Sequence, residues 1–159
     1  MVDMNRYARH VSLPDVGREG QELINNSRIL VIGAGGLGSP VLLYLAAAGV
    51  GEIGVIDDDL VDLSNLQRQI IHAESDVGSS KVDSAKAQIL SINSTIKVTT
   101  WNTRLSPDNA QEILKDWDVV VDGEVLQNVV WSYETPKPAA EAIRERFAFY
   151  RGKGVDLVD

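Results

Sequence analysis

Residues 28–57, RILVIGAGGLGSPVLLYLAAAGVGEIGVID, decide the fold of this chain. Residues 28–32 form a short apolar run bounded by turn residues, which predicts a buried strand. Residues 39–48 predict a helix that ends at Gly49, and residues 53–57 predict a second strand. A strand, a glycine-rich loop, a helix and a second strand in this order indicate one βαβ unit, whose crossover is almost always right-handed.

The chain beyond this unit continues the alternation of helices and strands. Residues 80–93 and 106–117 predict two helices, and residues 97–101 and 118–122 predict two strands. One or two short helices are expected in residues 1–27. Four strands that alternate with helices are typical of a doubly wound sheet. We therefore predict an α/β, Rossmann-like fold with a mostly parallel sheet and helices on both of its faces.

The composition excludes several classes of function. The chain has 159 residues with 15 basic and 23 acidic side chains, so its net charge is −8. This balance argues against binding to nucleic acid phosphates or to an anionic membrane. The chain has no cysteine, which excludes disulfides, cysteine nucleophiles and thiolate zinc sites. No apolar run is long enough to span a membrane and no signal peptide is recognised, so a cytoplasmic domain is expected.

Three glycines between the first strand and its helix form the pattern G-x-G-x-x-G. Gly33 allows a tight turn, Gly35 lets the backbone approach a pyrophosphate, and Gly38 lets the helix pack closely against the strand. The phosphates would then lie at the positive N-terminus of the helix. Asp57 ends the second predicted strand, where an acidic side chain hydrogen-bonds ribose hydroxyls. These residues fit an NAD-dependent oxidoreductase as well as an ATP-using enzyme.

Two cations near the glycine loop bear on the choice between these nucleotides. Arg68 lies in the polar loop 58–78, and Lys81 lies at the start of the next predicted helix. A triphosphate needs cations to neutralise its β and γ groups, whereas hydride transfer needs little positive charge beyond the pyrophosphate. In an acidic chain the two cations favour ATP, although their spacing alone does not distinguish them from ordinary surface charges.

Four segments together resemble one family, and their sequences are RYARHVSLPDVGREGQ (6–21), GAGGLGSP (33–40), VIDDDLVDLSNLQRQ (55–69) and GSSKVDSAK (78–86). They resemble the MoeB/ThiF/HesA family, prokaryotic relatives of ubiquitin-activating enzymes, nearly continuously from Arg6 to Gly123. The resemblance implies a Rossmann-like homodimer that uses Mg²⁺ and ATP. Its substrate would be the C-terminal carboxylate of a ubiquitin-like sulfur-carrier protein, which is adenylated with release of pyrophosphate. Molybdopterin or thiamin biosynthesis is the kind of pathway implied.

The resemblance also assigns residues to the nucleotide. Gly36 and its loop would hold the phosphates, and Asp57 would hold the ribose. Asp122 matches the first aspartate of the family's motif after the fourth strand. A five-residue segment would line the nucleotide site, with its amide and guanidinium groups against phosphate, and it consists of Ser64, Asn65, Leu66, Gln67 and Arg68.

Three cations would carry the catalysis that the resemblance implies. Arg68 and Lys81 would contact the triphosphate, and Arg9 would reach the partner subunit's site as an arginine finger. Attack of a carboxylate on the α-phosphorus brings anions together, and fixed cations stabilise the charge shared in the transition state.

The resemblance to this family breaks after the fourth strand. The family continues with an Asp-x-Thr-Asp-Asn-like run, whose second aspartate binds magnesium. Here Asp122 and Gly123 are followed by Glu124, Val125 and Leu126, so the second aspartate and the asparagine are absent. The sequence therefore predicts no metal ligand. Adenylation is either retained or lost, and the first alternative is a non-catalytic module that binds ATP or AMP.

Residues 122–159 resemble the C-terminal end of a DUF427-type domain, with the pattern W-x-Y-x-x-P-x-P-A-A. We therefore predict an incomplete nucleotide-binding domain at residues 1–123 and an aromatic-rich extension at 124–159. The fold would be a truncated Rossmann-like sheet followed by a short αβ tail, with a helix at 138–147 and a strand at 155–158. The truncated sheet would have an apolar edge, which the tail would cover.

Overall fold

The structure, a computed structural model, describes residues 3–123. Its strands are β1 (Arg28–Ile32), β2 (Glu52–Ile56), β3 (Lys97–Trp101) and β4 (Val119–Asp122). Its helices are α1 (Ala8–Val11), α2 (Gly17–Asn26), α3 (Gly38–Ala48), α4 (Lys81–Ile92) and α5 (Pro107–Leu114). Within this range no helix is long and apolar enough to cross a membrane. The predicted helix at 138–147, the strand at 155–158 and the cover of the sheet edge lie outside the described residues.

The four strands form one parallel sheet in the order β3–β2–β1–β4. Ile32 at the end of β1 lies opposite Ile56 of β2 and Asp122 of β4. The chain passes from β1 outward to β2 and β3 and then returns to β4 on the other side of β1. Ligands of doubly wound sheets bind outside the carboxyl ends of the strands at such a reversal. The predicted α/β fold with a parallel sheet is confirmed.

Helices cover both faces of the sheet because successive side chains of each strand point to opposite faces. On one face α3 and α4 pack against the strands, and the buried strand residues there include Val31, Ile53 and Val55. On the other face α5 packs against Leu30, Ile32 and Ile56. β4 forms one edge of the described sheet, and Val119 is 43% exposed there, which agrees with the predicted apolar edge.

The predicted helix 106–117 is too long, because α5 ends at Leu114. Trp117 folds back towards the helix, and its indole Nε1 donates a hydrogen bond to the carbonyl of Ile113 at 2.8 Å. Its ring lies edge-on to Trp101, with ring centroids 6.0 Å apart. Because the indole packs on the sheet, the helix ends earlier than the local sequence pattern predicts.

β2 is shifted by one residue from the prediction, and β4 begins one residue later than predicted but ends as predicted. Asp57 falls just after β2, and Asp118 falls just before β4. The Asp57 carboxylate accepts a hydrogen bond from the N–H of Ala34 at 2.8 Å, and the Asp118 carboxylate accepts one from the N–H of Arg28 at 2.8 Å. Both aspartates therefore bind neighbouring backbone from a strand end.

The N-terminal segment docks at the end of the sheet opposite the glycine loop. Tyr7 is 3% exposed, and a Cβ added to Gly49 would lie 2.2 Å from its hydroxyl oxygen. Asn93 donates to the Tyr7 hydroxyl at 2.9 Å, and Arg6 donates to the carbonyl of Ile92 at 3.0 Å. Residues 6–9 therefore lie at the C-terminal ends of α3 and α4, about 16 Å along α3 from its start.

Candidate functional site

The glycine loop joins β1 to α3 and requires glycine at two of its positions. Gly33 has a φ of +86°, which side chains other than glycine rarely adopt, and its N–H donates to the carbonyl of Ile56 at 2.8 Å. A Cβ on Gly38 would lie 1.9 Å from the carbonyl oxygen of Gly33. The start of α3 therefore touches the backbone of the loop directly.

Four successive backbone N–H groups of this loop are left without acceptors. Among residues 3–123, the N–H groups of Gly35, Gly36, Leu37 and Gly38 donate to no hydrogen-bond acceptor. They lie at the N-terminus of α3, where the partial positive charge of the helix adds to that of the amides. This arrangement can bind a phosphate group.

Asp57 fixes this loop to the end of β2. One oxygen of its half-buried carboxylate accepts from the N–H of Ala34 at 2.8 Å, and the other accepts from the N–H of Asp59 at 2.8 Å. The sequence predicted that Asp57 binds ribose but did not predict this structural role in holding the loop. Each carboxylate oxygen retains a further lone pair, so both roles are compatible.

The segment that was predicted to line the nucleotide site begins with a capped 3₁₀ turn at Leu63–Asn65. Asp62 accepts from the N–H of Ser64 at 2.8 Å and from its hydroxyl at 2.6 Å. These two hydrogen bonds lower the pKa of the Asp62 carboxyl. The side chain of Asn65 accepts in return from the N–H of Asp62 at 3.1 Å. Ser64 and Asn65 thus hold the shape of the loop.

The second half of this segment presents a cation to solvent. Arg68 is exposed, and its Nη1 donates to the carbonyl of Ser64 at 3.1 Å. A guanidinium has five N–H donors, so this contact leaves most of them for a ligand. Leu66 is half-buried and Gln67 is exposed.

Lys81 lies at the first position of α4 and is held beside the carboxylates that follow β2. Its side chain is 6% exposed, and its Nζ donates to Asp59 at 2.6 Å. Carboxylate oxygens of Asp57, Asp58 and Asp59 lie within 4.8 Å of one another. The lysine therefore neutralises part of an acidic cluster next to the glycine loop.

Asp122 ends β4 on the other side of β1 from this cluster. With strands about 4.8 Å apart, the backbone positions of Asp57 and Asp122 are separated by about 10 Å across β1. Proteins commonly hold Mg²⁺ with one or two carboxylates together with substrate phosphates. Asp122 fits such a single ligand, since it lies at the same edge of the sheet as the loop.

Several residues of the site were not predicted from the sequence. A small cleft at the carboxyl ends of β1 to β3 is lined by Asp57, Asp58 and residues 103–105, and the last group includes the exposed Arg104. Buried polar side chains are the second group, with His72 7% and Gln69 4% exposed. The signal for them is weak, since it consists only of polar residues interspersed with Ile70 and Ile71.

The structure brings the predicted site residues together at one edge of the sheet, with one exception. The glycine loop and Asp57 directly follow strands, Asp122 ends β4 and Lys81 begins α4, whereas the segment Ser64–Arg68 lies within the connection from β2 to α4. Arg9 is exposed at the opposite edge, where Tyr7 anchors its segment. Arg9 cannot reach the glycine loop of its own subunit.

The fold and the loop define a doubly wound α/β protein with free backbone N–H groups at the carboxyl edge of its sheet. Residues 7–124 match the ThiF family, and the chain belongs to that family. Residues 97–159 also match a domain of unknown function, DUF427, so the two matches overlap at residues 97–124. Both resemblances seen in the sequence are confirmed, whereas a domain boundary at residue 123 stays a prediction.

Relatives and solved structures agree with this assignment. The chain is 54% identical over 121 residues to the "Probable adenylyltransferase/sulfurtransferase MoeZ" of Mycobacterium tuberculosis, covering 76% of this chain and 31% of that protein. It is 51% identical over 123 residues to the "Probable molybdopterin-synthase adenylyltransferase" of Porphyra purpurea, covering 77% and 32%. The chain thus spans about a third of the length of each. The crystal structure of E. coli MccB with ATP matches with a TM-score of 0.65 and 31% identity, covering 74% and 37%.

Proposed function

We propose that this cytoplasmic chain binds ATP at the carboxyl edge of its sheet and adenylates the C-terminal carboxylate of a ubiquitin-like sulfur-carrier protein. The observation that carries the proposal is the convergence of four free N–H groups with the buried Lys81 cation at this edge. Membership of the ThiF family supports it, and so do the names of the two adenylyltransferases. The match to MccB in its ATP complex supports the choice of nucleotide.

The proposed reaction transfers AMP to the carrier. A carboxylate oxygen forms a bond to the α-phosphorus of ATP, and the bond from that phosphorus to pyrophosphate breaks. The N–H groups of the glycine loop hold phosphate oxygens, and Asp57 holds the ribose. Arg68 and Lys81 neutralise the charge of the leaving pyrophosphate. When bound, Mg²⁺ would add further positive charge, with Asp122 as its ligand from this chain.

Lys81 exchanges partners in this proposal. Without nucleotide its Nζ binds Asp59, whose side chain is 66% exposed and can return to water at little cost. A phosphate at the start of α3 then takes the place of the Asp59 carboxylate. The acidic cluster therefore holds the lysine in position between turnovers.

Arg9 requires a second subunit if it is to act on the nucleotide. Within one subunit it lies at the edge of the sheet opposite the glycine loop. A homodimer that places Arg9 of one protomer beside the phosphates of its partner resolves this separation. The proposed enzyme is therefore a homodimer in which Arg9 acts as an arginine finger in the partner's site.

A second candidate function is a module that binds ATP or AMP without catalysis. The sequence after Asp122 favours it, because Val125 and Leu126 occupy the positions where the family's motif has its second aspartate, which binds magnesium, and its asparagine. Nucleotide binding depends on the loop and Lys81, whereas turnover depends also on the metal. Pyrophosphate exchange separates the two functions, since only an active enzyme moves label from pyrophosphate into ATP.

Thermal unfolding with and without ligand tests nucleotide binding first. A ligand that binds only the folded state stabilises it by about 2.7 kcal/mol at 100 times its dissociation constant. We expect Mg-ATP to raise the midpoint of a cooperative transition and NAD to leave it unchanged. A midpoint raised by NAD alone would instead identify an oxidoreductase, and the absence of any shift would refute the proposal.

Lys81→Ala and Arg68→Ala are expected to weaken ATP binding about 10- to 100-fold, because each removes a charge-assisted hydrogen bond to an outer phosphate. AMP lacks those phosphates, so its affinity should change by no more than about threefold. Isothermal titration calorimetry with both nucleotides measures the difference. Lys86→Ala is the control, because it removes a lysine charge further along α4. It should change neither the affinity for ATP nor the affinity for AMP. Equal losses for ATP and AMP would contradict the assignment.

A further inference from the structure

His72 lies beneath the glycine loop and binds two other segments. Its Nε2 lies 3.0 Å from the carbonyl oxygen of Ala34, and its Nδ1 lies 2.8 Å from the Ser84 hydroxyl of α4. The side chain of His72 is almost entirely enclosed, with the residue 7% exposed. The Ser84 hydroxyl also contacts the Asp76 carboxylate at 2.7 Å. The imidazole thus joins the loop to α4 and to the turn before it.

These contacts determine which imidazole nitrogen carries the hydrogen. The Ala34 carbonyl can only accept a hydrogen bond, so Nε2 must donate. Burial lowers the pKa of His72, and repulsion from Lys81 adds to this, although the Ala34 carbonyl, Asp57 and Asp76 oppose the shift. A neutral imidazole has one N–H, so Nδ1 is an acceptor that faces the Ser84 hydroxyl. That hydroxyl has one hydrogen and two acceptors, Nδ1 and Asp76.

The contact from His72 has a direct effect on the orientation of the loop. In a trans peptide the C=O and the N–H point in opposite directions. Since the Ala34 carbonyl points at His72, the Gly35 N–H of the same peptide unit points away from it. Asp57 fixes the preceding peptide unit through the N–H of Ala34 at 2.8 Å. Both peptide units that flank Ala34 are therefore held by side chains distant in sequence.

We propose that His72 is a positioning residue for phosphate binding, which aims the Gly35 N–H at the nucleotide by holding the Ala34 carbonyl on the opposite side. This inference rests on the proposed ATP site and names a residue that acts through the backbone of that site. His72 does not touch the nucleotide in this arrangement. Loss of its N–H donor should turn the peptide unit and weaken phosphate binding while leaving the ribose contact intact.

Two conservative variants separate this role from simple packing. Glutamine can place an amide N–H near the position of Nε2, whereas the shorter asparagine reaches only the position of Nδ1. We expect His72→Asn to weaken ATP binding about tenfold or more, because the buried Ala34 carbonyl then keeps only the long hydrogen bond from the Ser39 hydroxyl, at 3.4 Å. His72→Gln should stay within about threefold of the wild type. Adenosine, which lacks phosphates, should bind all three proteins with similar affinity.

Two results from these titrations would overturn the proposal. One is a folded His72→Asn protein that binds ATP as tightly as the wild type. The other is an equal loss for ATP and adenosine, which would indicate general damage to the site. Isothermal titration calorimetry of the full chain measures the affinities of the wild type and the two variants for both ATP and adenosine.

A nitrogen NMR experiment on the wild-type chain keeps the proposal testable if His72→Asn does not fold. With ¹⁵N-labelled histidine, we expect His72 to be protonated on Nε2, and a neutral Nδ1–H tautomer would overturn the proposal. His72→Gln should leave the Gly35 amide resonance close to its wild-type position. If the wild type binds no ATP, the proposed function fails, whereas the tautomer and the Gly35 resonance still decide the role of His72.

The buried neutral state of His72 also predicts a dependence of stability on pH. Its pKa is lowered in the folded chain, so the unfolded chain binds the proton more readily below about pH 6.5. Stability is therefore retained above that pH and is lost as the pH falls below it. The thermal unfolding midpoint of the wild type should fall relative to that of His72→Gln as the pH is lowered from about 7.5 to 5.5. The midpoints are measured in steps of about half a pH unit. A constant difference between the two proteins would contradict a neutral His72.

Discussion

Gly38→Ala is expected to abolish detectable ATP binding and to lower the free energy of unfolding by about 3 kcal/mol. The added Cβ would lie 1.9 Å from the carbonyl oxygen of Gly33 and 2.9 Å from its carbonyl carbon. Both atoms belong to the backbone, and Gly33 is already constrained by its φ of +86° and its bond to Ile56. Either α3 or the loop must therefore shift, and both supply the free N–H groups. Thermal unfolding and calorimetry measure the two effects.

Gly20→Ala is the matched control for this substitution. Its added Cβ would lie 3.1 Å from Cγ1 of Val16, a side-chain atom that can move aside. Gly20 lies inside α2, where alanine is favoured over glycine by about 1 kcal/mol. We expect its stability to stay within about 1 kcal/mol of the wild type and its ATP affinity to be unchanged. A Gly38→Ala protein that behaved like this control would refute the close packing of loop and helix.

Arg9→Ala and Lys81→Ala are each expected to leave only weakened ATP sites alone, and mixing the two proteins should restore part of the tight binding. In a symmetric dimer whose sites take Arg9 from the partner, each homodimer has two defective sites. A mixed dimer has one site with both substitutions and one site with neither. Random reassociation should therefore restore about a quarter of the wild-type ATP sites.

The stoichiometry of ATP binding measures this recovery without requiring turnover. The two variants are unfolded together, refolded and titrated at ATP concentrations that only intact sites bind. If Arg9 acted within its own subunit, both sites of the mixed dimer would be defective and mixing would restore nothing. Arg18→Ala is the control, because Arg18 is another arginine of the N-terminal segment, and it should bind ATP at every site. An effect of Arg9→Ala on a demonstrated monomer would also exclude the role in trans.

Local patterns predicted the parts of the fold that depend on neighbouring residues. β1 and β3 occupy the predicted residues: β1 is a short apolar run between turn residues, which is typical of a buried strand, and β3 consists largely of β-branched and aromatic residues, which favour strands. α4 begins after Ser80, whose hydroxyl accepts from the N–H of Asp83 at 3.2 Å, and α3 ends at Gly49 with a φ of +83°. Each of these capping interactions involves residues within about one helical turn, so the local sequence is sufficient to predict them.

Packing decided the boundaries that the local pattern missed. Nothing near residue 114 in sequence stops a helix, and α5 ends there because Trp117 turns back to lie beside Trp101 and over Gly54. A Cβ on Gly54 would lie 2.7 Å from the Trp117 ring, so this glycine in β2 makes room for an indole from another element. The two residues are distant in sequence, and only the closed sheet brings them together.

The sequence alone determined the class of fold, the glycine loop and the membership of the ThiF family, because these depend on residue types at fixed local spacings. The tertiary structure decided how the loop is held. Asp57 lies 23 residues from Ala34 and His72 lies 38 residues from it, yet both bind its backbone. It also placed Arg9 at the far edge of the sheet. Hydrogen bonds have no sequence signature when their partners meet only after β1, β2 and α4 have packed, so these arrangements are properties of the folded chain.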